Sequence, residues 1–195
     1  MDISTGDDVV TLIPFNESFL KEAVLLYNSS DMRFATGFAD KVSEDQLALM
    51  LDQVCSKENE FVSCIFITSA SNMKSNSDIA GDLGAVGASG TAKVSGNQLV
   101  GIVSGVLHGN ELWIKLLAIL PSFQNAGIGT RSIRLILGYF AKSFDAINVF
   151  VSVVEDNKAG LRFWTRQGFS VTGVLYKELF GENHKYKVAI MNMRL

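Results

Sequence analysis

The chain has 195 residues, enough for one domain with a sizeable core, and its 48% hydrophobic and 19% charged content is that of a folded rather than a disordered protein. Lys plus Arg number 17 against 20 for Asp plus Glu, a net charge of -3, which supplies no basic field for nucleic acid or anionic lipid. The start "MDISTGDD" lacks a basic n-region and an apolar h-region, "LLAIL" is too short to span a bilayer, and Cys55 and Cys64 form no CxxC. These features predict a cytoplasmic chain with free thiols, no membrane segment and no nucleic-acid partner. With His108 and His184 the only histidines, a zinc site would need carboxylates almost throughout, so no metal is expected.

In chain order, "DVVTLIPF" predicts a strand over Val9 to Ile13, stopped by Pro14, whose nitrogen cannot join a ladder. Asn16 caps a helix over "ESFLKEAVLLYN". In "VSEDQLALMLDQV", Ser43 and Gln46 form a capping box, and Leu47, Met50, Leu51 and Val54 share one helical face. "FVSCIFIT", Phe61 to Thr68, is rich in β-branched and aromatic residues and reads as a strand. Residues 69–98 are crowded with Ser, Gly and Asn and predict a long flexible loop. The "GAVGASG" within it would suit a nucleotide-binding rival, but no lysine pattern follows and no strand leads into it, which rejects a phosphate loop.

"LVGIVSGVLH" and "ELWIKLLAIL" form a hairpin about the turn dipeptide "GN". "GIGTRSIRLILGYFAKSF" places Ile133, Ile136, Leu137 and Phe140 at i, i+3, i+4 and i+7, an amphipathic helix. "AINVFVSVV" has the near-continuous apolar pattern of a central strand. "DNKAGLRFWTRQ" is a helix capped by Asp156 or Asn157 and ended by Gly168, and "FSVTGVLY" and "YKVAIMNMRL" close the chain as strands. The order predicts a mixed α/β sheet of about seven strands flanked by about four helices, in one domain over residues 1–195, with one strand–helix–strand crossover at its centre.

The stretch "PSFQNAGIGTRS" joins a strand end to a helix start. Such a turn offers unpaired N–H groups and the positive end of the helix dipole, and Gly127 and Gly129 remove side chains where an anion would approach. A tight turn with no ligand would use the same residues.

"LLAILPSFQNAGIGT" resembles motif A of the GCN5-related N-acetyltransferases, Gln/Arg-x-x-Gly-x-Gly/Ala, with Gln124, Gly127 and Gly129 in the pattern and Leu117, Ile119 and Pro121 before it. "NKAGLRFWTRQGF" is similar to a second block of that family, matching at Asn157, Phe163, Gly168 and Phe169, with Gly160 where Ala is usual. The resemblance covers residues 97–195 well and the N-terminal half in layout. It implies a GNAT-like acyl-CoA N-acyltransferase fold and acetyl-CoA as cosubstrate. The amides of Asn125, Ala126, Gly127, Ile128, Gly129 and Thr130 would then hold the pyrophosphate, with Gln124 also in the cofactor site. Leu117, Ala118 and Ile119 would pair with the pantetheine arm across a splayed strand edge, and Asn157 and Trp164 would flank the thioester. It also implies transfer of acetyl to a primary amine of a small molecule or peptide.

Two departures bear on catalysis. The tyrosine used by many relatives as general acid is replaced by Trp164, and a glutamate used by some as base is replaced by Trp113. Direct attack without a tyrosine acid is the implied route, with the Ile119 backbone N–H as carbonyl polariser. Substitute groups considered are Glu111, Lys115 (read as sharing a face with Trp113, Leu117 and Ile119), Glu155, Asp156, His108, Tyr176 and Tyr186, each with a solvated surface role as the alternative. "SSDMRFATGF", with Arg33, would form part of the acceptor wall, and "FGENHKYK" around His184 reads as a polar hairpin loop. The missing acid and base leave a non-catalytic acyl-CoA-binding sensor or partner module as the alternative. The hydrophobic content leaves room for a homodimer interface.

Overall fold

The computed structural model describes residues 2–5, 8–29, 40–69, 93–94, 97–178 and 185–195. Among the described residues nine strands form one sheet in the order β1-β2-β3-β5-β6-β7-β9-β8, with β4 paired to β5. They are β1 (Asp2–Thr5), β2 (Asp8–Pro14), β3 (Glu60–Ser69), β4 (Lys93–Val94), β5 (Asn97–His108), β6 (Glu111–Ile119), β7 (Asn148–Val154), β8 (Ser170–Glu178) and β9 (Lys185–Arg194). The seven expected strands are all present, and the two short additions are β1 and β4. Of the segment expected as a loop over 69–98, the described residues are strand: Ser69 ends β3, Lys93–Val94 form β4, and Asn97 and Gln98 open β5; the rest lies outside the described residues. The "GAVGASG" stretch lies outside the described residues, as do Arg33 and His184.

Four α-helices cover the sheet among the described residues: α1 (Leu20–Tyr27), α2 (Glu44–Cys55), α3 (Ile128–Phe144) and α4 (Lys158–Arg166). Each begins where the sequence signals it. Asn16 accepts from the Ser18 N–H at 3.0 Å and starts a 3-10 turn that runs into α1. Ser43 and Gln46 close the capping box of α2 in both directions, at 3.2 and 2.8 Å. Asn157 accepts from the Gly160 N–H at 2.8 Å and caps α4.

The helices lie on opposite faces of the sheet. Ala23, Leu26 and Tyr27 of α1 and Leu47 and Leu51 of α2 pack with Val62 and Ile102, and with Leu116 and Ala118 of β6. Ile133, Ile136 and Phe140 of α3 and Trp164 of α4 pack on the other face with Val103, Leu112, Val149 and Met191. Burying an apolar side chain of this size is worth about 1.5–3 kcal/mol, so these two stripes fix which way each helix faces.

One strand pair departs from the pattern, and it positions the site. β6 and β7 run parallel, joined by α3 as the crossover, but they pair only over Glu111–Ile114 and Asn148–Val151. Beyond Ile114 the two strands part.

Candidate functional site

The parting of β6 from β7 leaves Lys115–Ile119 with one strand neighbour only, β5. The edge so exposed carries backbone donors. The Leu120 N–H bonds to the Val100 carbonyl at 2.8 Å. Alternate residues of a strand turn their N–H groups to opposite sides, so the Leu117 and Ile119 N–H groups face away from β5, into the gap. The Ile119 carbonyl faces the same way and accepts from Gln124 Nε2 at 3.0 Å.

A bulge sets the faces of this strand. Ser104 pairs with Leu116 and Gly105 with Ile114, so Lys115 is the extra residue. Leu112 and Ile114 before it, and Leu117 and Ile119 after it, all pack toward α3 and α4. Leu116 and Ala118 turn toward α1 and α2. The expectation that Trp113 and Lys115 share a face with Leu117 and Ile119 is therefore incorrect. An unbroken alternation would have required it, and the bulge breaks the alternation.

After β6 the chain makes a 3-10 turn, Pro121–Phe123, and then the glycine turn. Asn125 and Gly127 both take left-handed backbone, with φ of 61° and 75°. Gly127 is the N-cap of α3 and supplies no side-chain cap. The first backbone bond into the helix is Arg131 N–H to Gly127 O at 3.0 Å. The N–H groups of Ile128, Gly129 and Thr130 have no backbone partner among the described residues. They point out of a 17-residue helix at the positive end of its dipole. A Cβ built on Gly127 would meet nothing within 4 Å, so the space beside these amides is open. Gly129 has a second reason to be glycine: its Cβ would come within 3.3 Å of the Phe163 ring, where α3 crosses α4.

These elements enclose a cavity of about 710 Å³, within the range of small-molecule sites. Leu117, Ala118, Ile119, Gln124, Asn125, Gly127, Ile128, Gly129, Thr130, Asn157 and Trp164 all line it. Of the expected residues only Ala126 does not, and its carbonyl instead accepts from Arg131 Nη2 at 3.1 Å. A smaller space of about 90 Å³ lies between the parted strands, bounded by Ile114–Leu117 and Val151–Val154, and shares Leu117, Asn157 and Trp164 with the larger one.

Sequence reasoning missed Leu26, and gave the α4 wall only as a helix face without naming its residues. Leu26 closes the cavity from the α1 side, next to Ser29, the first residue of the expected acceptor-wall segment. Ala159, Phe163 and Arg166 close it from α4, at the i, i+4, i+7 spacing that marks one helical face. Gln167 donates to Thr130 Oγ1 at 3.1 Å and ties α4 to the start of α3. Gly160 is also explained, since its Cβ would fall 2.7 Å from Asn157 Nδ2.

Of the substitute acid–base groups, Lys115 borders only the smaller space, and none of them lines the larger cavity. Trp113 stacks on Phe150, rings 4.7 Å apart and 13° from parallel. Lys115 pairs with Glu60 at 2.9 Å, and Glu60 also holds Lys57 at 2.9 Å. Burial tends to raise the Glu60 carboxyl, but the bonds and charges of Lys115 and Lys57 outweigh it and hold the group below its ordinary value. Glu155 pairs with Lys187 at 2.8 Å, and His108 and Glu111 sit at the hairpin end of β6. At about 3.3 Å per residue that end is about 26 Å from Ile119. Tyr176 and Tyr186 do not line either space, and Asp156 does not. Trp164 is buried and packs edge-on against Phe163 and Phe169, centroids 5.1 and 5.0 Å away. Among the described residues no three His, Cys, Asp or Glu side chains stand together as a metal would need, and no helix is long and apolar enough to cross a membrane.

A sequence model of the Acetyltransferase (GNAT) family matches residues 56–169, more than half of the chain, and takes in β3 through α4, the open edge and the glycine turn. The chain belongs to the GNAT acetyltransferase family. It is an acyl-CoA-dependent N-acetyltransferase whose acetyl donor is acetyl-CoA. Solved GNAT structures share its fold. A spermidine N-acetyltransferase from Vibrio cholerae, in complex with CoA and spermine, is 16% identical, with a TM-score of 0.68 over 95% of each chain. A dodecameric structure of spermidine N-acetyltransferase from Vibrio cholerae is 17% identical, with a TM-score of 0.63 over 95% of this chain and 93% of that one. A Salmonella typhimurium acetyl transferase that modifies the N-terminal serine of 50S ribosomal subunit protein L7/L12 is 12% identical, with a TM-score of 0.70 over 98% and 96%. No curated protein matches the GNAT chain in sequence.

Proposed function

We propose that residues 1–195 act as one cytoplasmic GNAT domain that acetylates a primary amine by direct attack, with acetyl-CoA held across the gap between β6 and β7. The observation that carries this is the conjunction of a free strand edge at Leu117–Ile119 with unpartnered amides at Ile128–Thr130, on one cavity. A flexible polyanion with an amide-bearing arm needs both. Asn125 to Thr130 form the pyrophosphate nest with Gln124 at its edge, Leu117, Ala118 and Ile119 receive the arm, and Asn157 and Trp164 flank the pantetheine and the thioester. The open space at Gly127 is the cradle that a side chain would fill.

Acetyl-CoA supplies an acyl carbon on a thiolate leaving group: a C–N bond forms as the C–S bond breaks, and the amine's proton passes through water to the thiol. The chain's part is positioning. The Ile119 N–H is the donor offered to a carbonyl oxygen at the edge, and the Gln124 bond to the Ile119 carbonyl fixes that peptide plane. Trp164 offers no exchangeable acid, so the rate rests on proximity and carbonyl polarisation. Unpaired Cys55 and Cys64 support a reducing compartment. A homodimer through β8 is supported by its exposed Val171, Val174, Leu175 and Tyr176 on an edge that is unpaired among the described residues. The acceptor is a small amine or a peptide amine, as the spermidine and ribosomal-protein enzymes illustrate for their own substrates. A thiol-release screen across amines tests the function: turnover with a primary amine, lost in Gly127→Ala, supports it, and no turnover with any amine overturns it.

A further inference from the structure

Ser152 of β7 stands where β6 and β7 part, and no step above uses it. The parallel pairing ends at Val151, so Ser152 is the first residue of β7 beyond it. Val149, Val151 and Val153 turn toward α3 and α4. Ser152 therefore turns to the other side, that of α1 and α2, where it is exposed. It borders the smaller space together with Leu117, Asn157 and Trp164, the three residues which that space shares with the larger cavity.

The backbone of Ser152 faces the gap as well. The Glu155 N–H bonds to the Lys187 carbonyl of β9 at 2.8 Å, whereas the Asn148 N–H bonds the opposite way, to the Asn110 carbonyl just before β6, at 3.3 Å. By alternation the Ser152 carbonyl points toward β6. Of the hydroxyls that line the two spaces, only that of Ser152 is uncommitted among the described residues. Ser29 Oγ donates to the Leu26 carbonyl at 2.8 Å, and Thr130 Oγ1 accepts from Gln167 at 3.1 Å. Lys115, also at the smaller space, is held by Glu60 at 2.9 Å.

We infer that Ser152 is a catalytic residue: its hydroxyl takes the proton that the amine loses on attack and passes its own to water. This rests on the acetyltransferase site proposed above, in which an arm laid from the glycine turn along Ile119 and Leu117 brings the acyl carbon to the smaller space. Once the C–N bond forms, the nitrogen is positively charged and must shed a proton. Trp164 and Trp113 carry no acceptor for it. A hydroxyl accepts through an oxygen lone pair as it donates its own hydrogen, so Ser152 ends the step as it began it. The C–S bond breaks with its electron pair left on sulfur, and the thiolate takes a proton from water. The Ser152 carbonyl accepts the second amine N–H, which turns the nitrogen lone pair toward the acyl carbon.

The test measures kcat and acetyl-CoA affinity of the full chain, with n-butylamine and glycinamide as the amine probes. In Ser152→Ala, kcat falls about 100-fold with both amines, the low end of what a positioned proton-transfer group contributes. Acetyl-CoA affinity by calorimetry and the melting temperature stay unchanged, because the side chain is exposed. Ser152→Thr keeps the hydroxyl and recovers most of the lost kcat, a rescue that a merely structural role would not produce. A kcat within about twofold in Ser152→Ala, far below any proton-transfer contribution, overturns the inference and leaves the acetyltransferase site standing. Equal losses in the Ala and Thr variants do the same. Failure of the unaltered protein to bind acetyl-CoA removes that site, and this inference with it.

Discussion

Gln124 Nε2 donates to the Ile119 carbonyl at 3.0 Å, so the first residue of the glycine turn is fastened to the strand edge beside it. The two halves of the cavity, edge and nest, are thereby held in register by one side chain.

Gln124→Ala removes that fastening. A single hydrogen bond of this kind is worth about 0.5–1.5 kcal/mol, so acetyl-CoA affinity falls by about 3- to 10-fold while the melting temperature changes little. Calorimetric titration beside a thermal melt measures both.

The two glycines of the turn are expected to respond differently. Gly127→Ala meets no protein atom but forces a left-handed residue at φ 75°, which costs about 1–2 kcal/mol. It stays folded and loses at least about tenfold in acetyl-CoA affinity. Gly129→Val also drives into Phe163, so it loses stability as well as binding. Equal behaviour of the two variants in the thermal melt would contradict this assignment.

How far the sequence discloses this site depends on the residue. Gln124, Gly127 and Asn157 declare themselves because turn and cap chemistry is local. The bulge at Lys115 leaves no signature in "ELWIKLLAIL", and it reverses the faces of everything after it, so alternation misplaces Trp113 and Lys115 relative to Ile119. Leu26 is invisible for another reason: its role comes from α1 lying across the Ile102–Ala118 row, a contact between segments far apart in the chain. Gly129 is legible only in part, since the Phe163 crossing is tertiary. The short strands β1 and β4 are too brief to show a period.

Burial raises Tyr27 to about 12, with a further push from Cys64, and raises Cys64 to about 12. Both groups are held neutral by the fold. The stability they contribute is fully present below their unfolded values, 10.0 and 9.0, and is lost as pH rises toward the folded values. Denaturant midpoints are therefore expected to fall above about pH 9, less steeply in Cys64→Ala. At pH 8, thiol reagent is expected to label exposed Cys55 well before Cys64.

His108→Ala and Glu111→Gln are expected to leave kcat/KM within about twofold, because the hairpin end of β6 lies about 26 Å from Ile119. Steady-state kinetics on both variants checks the placement. A tenfold loss in either would move the chemistry to the wrong end of the strand.

The most direct test of the central claim is calorimetric titration of the purified protein with acetyl-CoA, with CoA and ATP as controls. Binding of acetyl-CoA and CoA but not ATP, abolished or weakened tenfold or more (about 1.4 kcal/mol) in Gly127→Ala, is the predicted result. No binding of either CoA species, or undiminished binding in folded Gly127→Ala, would mean that the turn between β6 and α3 holds no ligand.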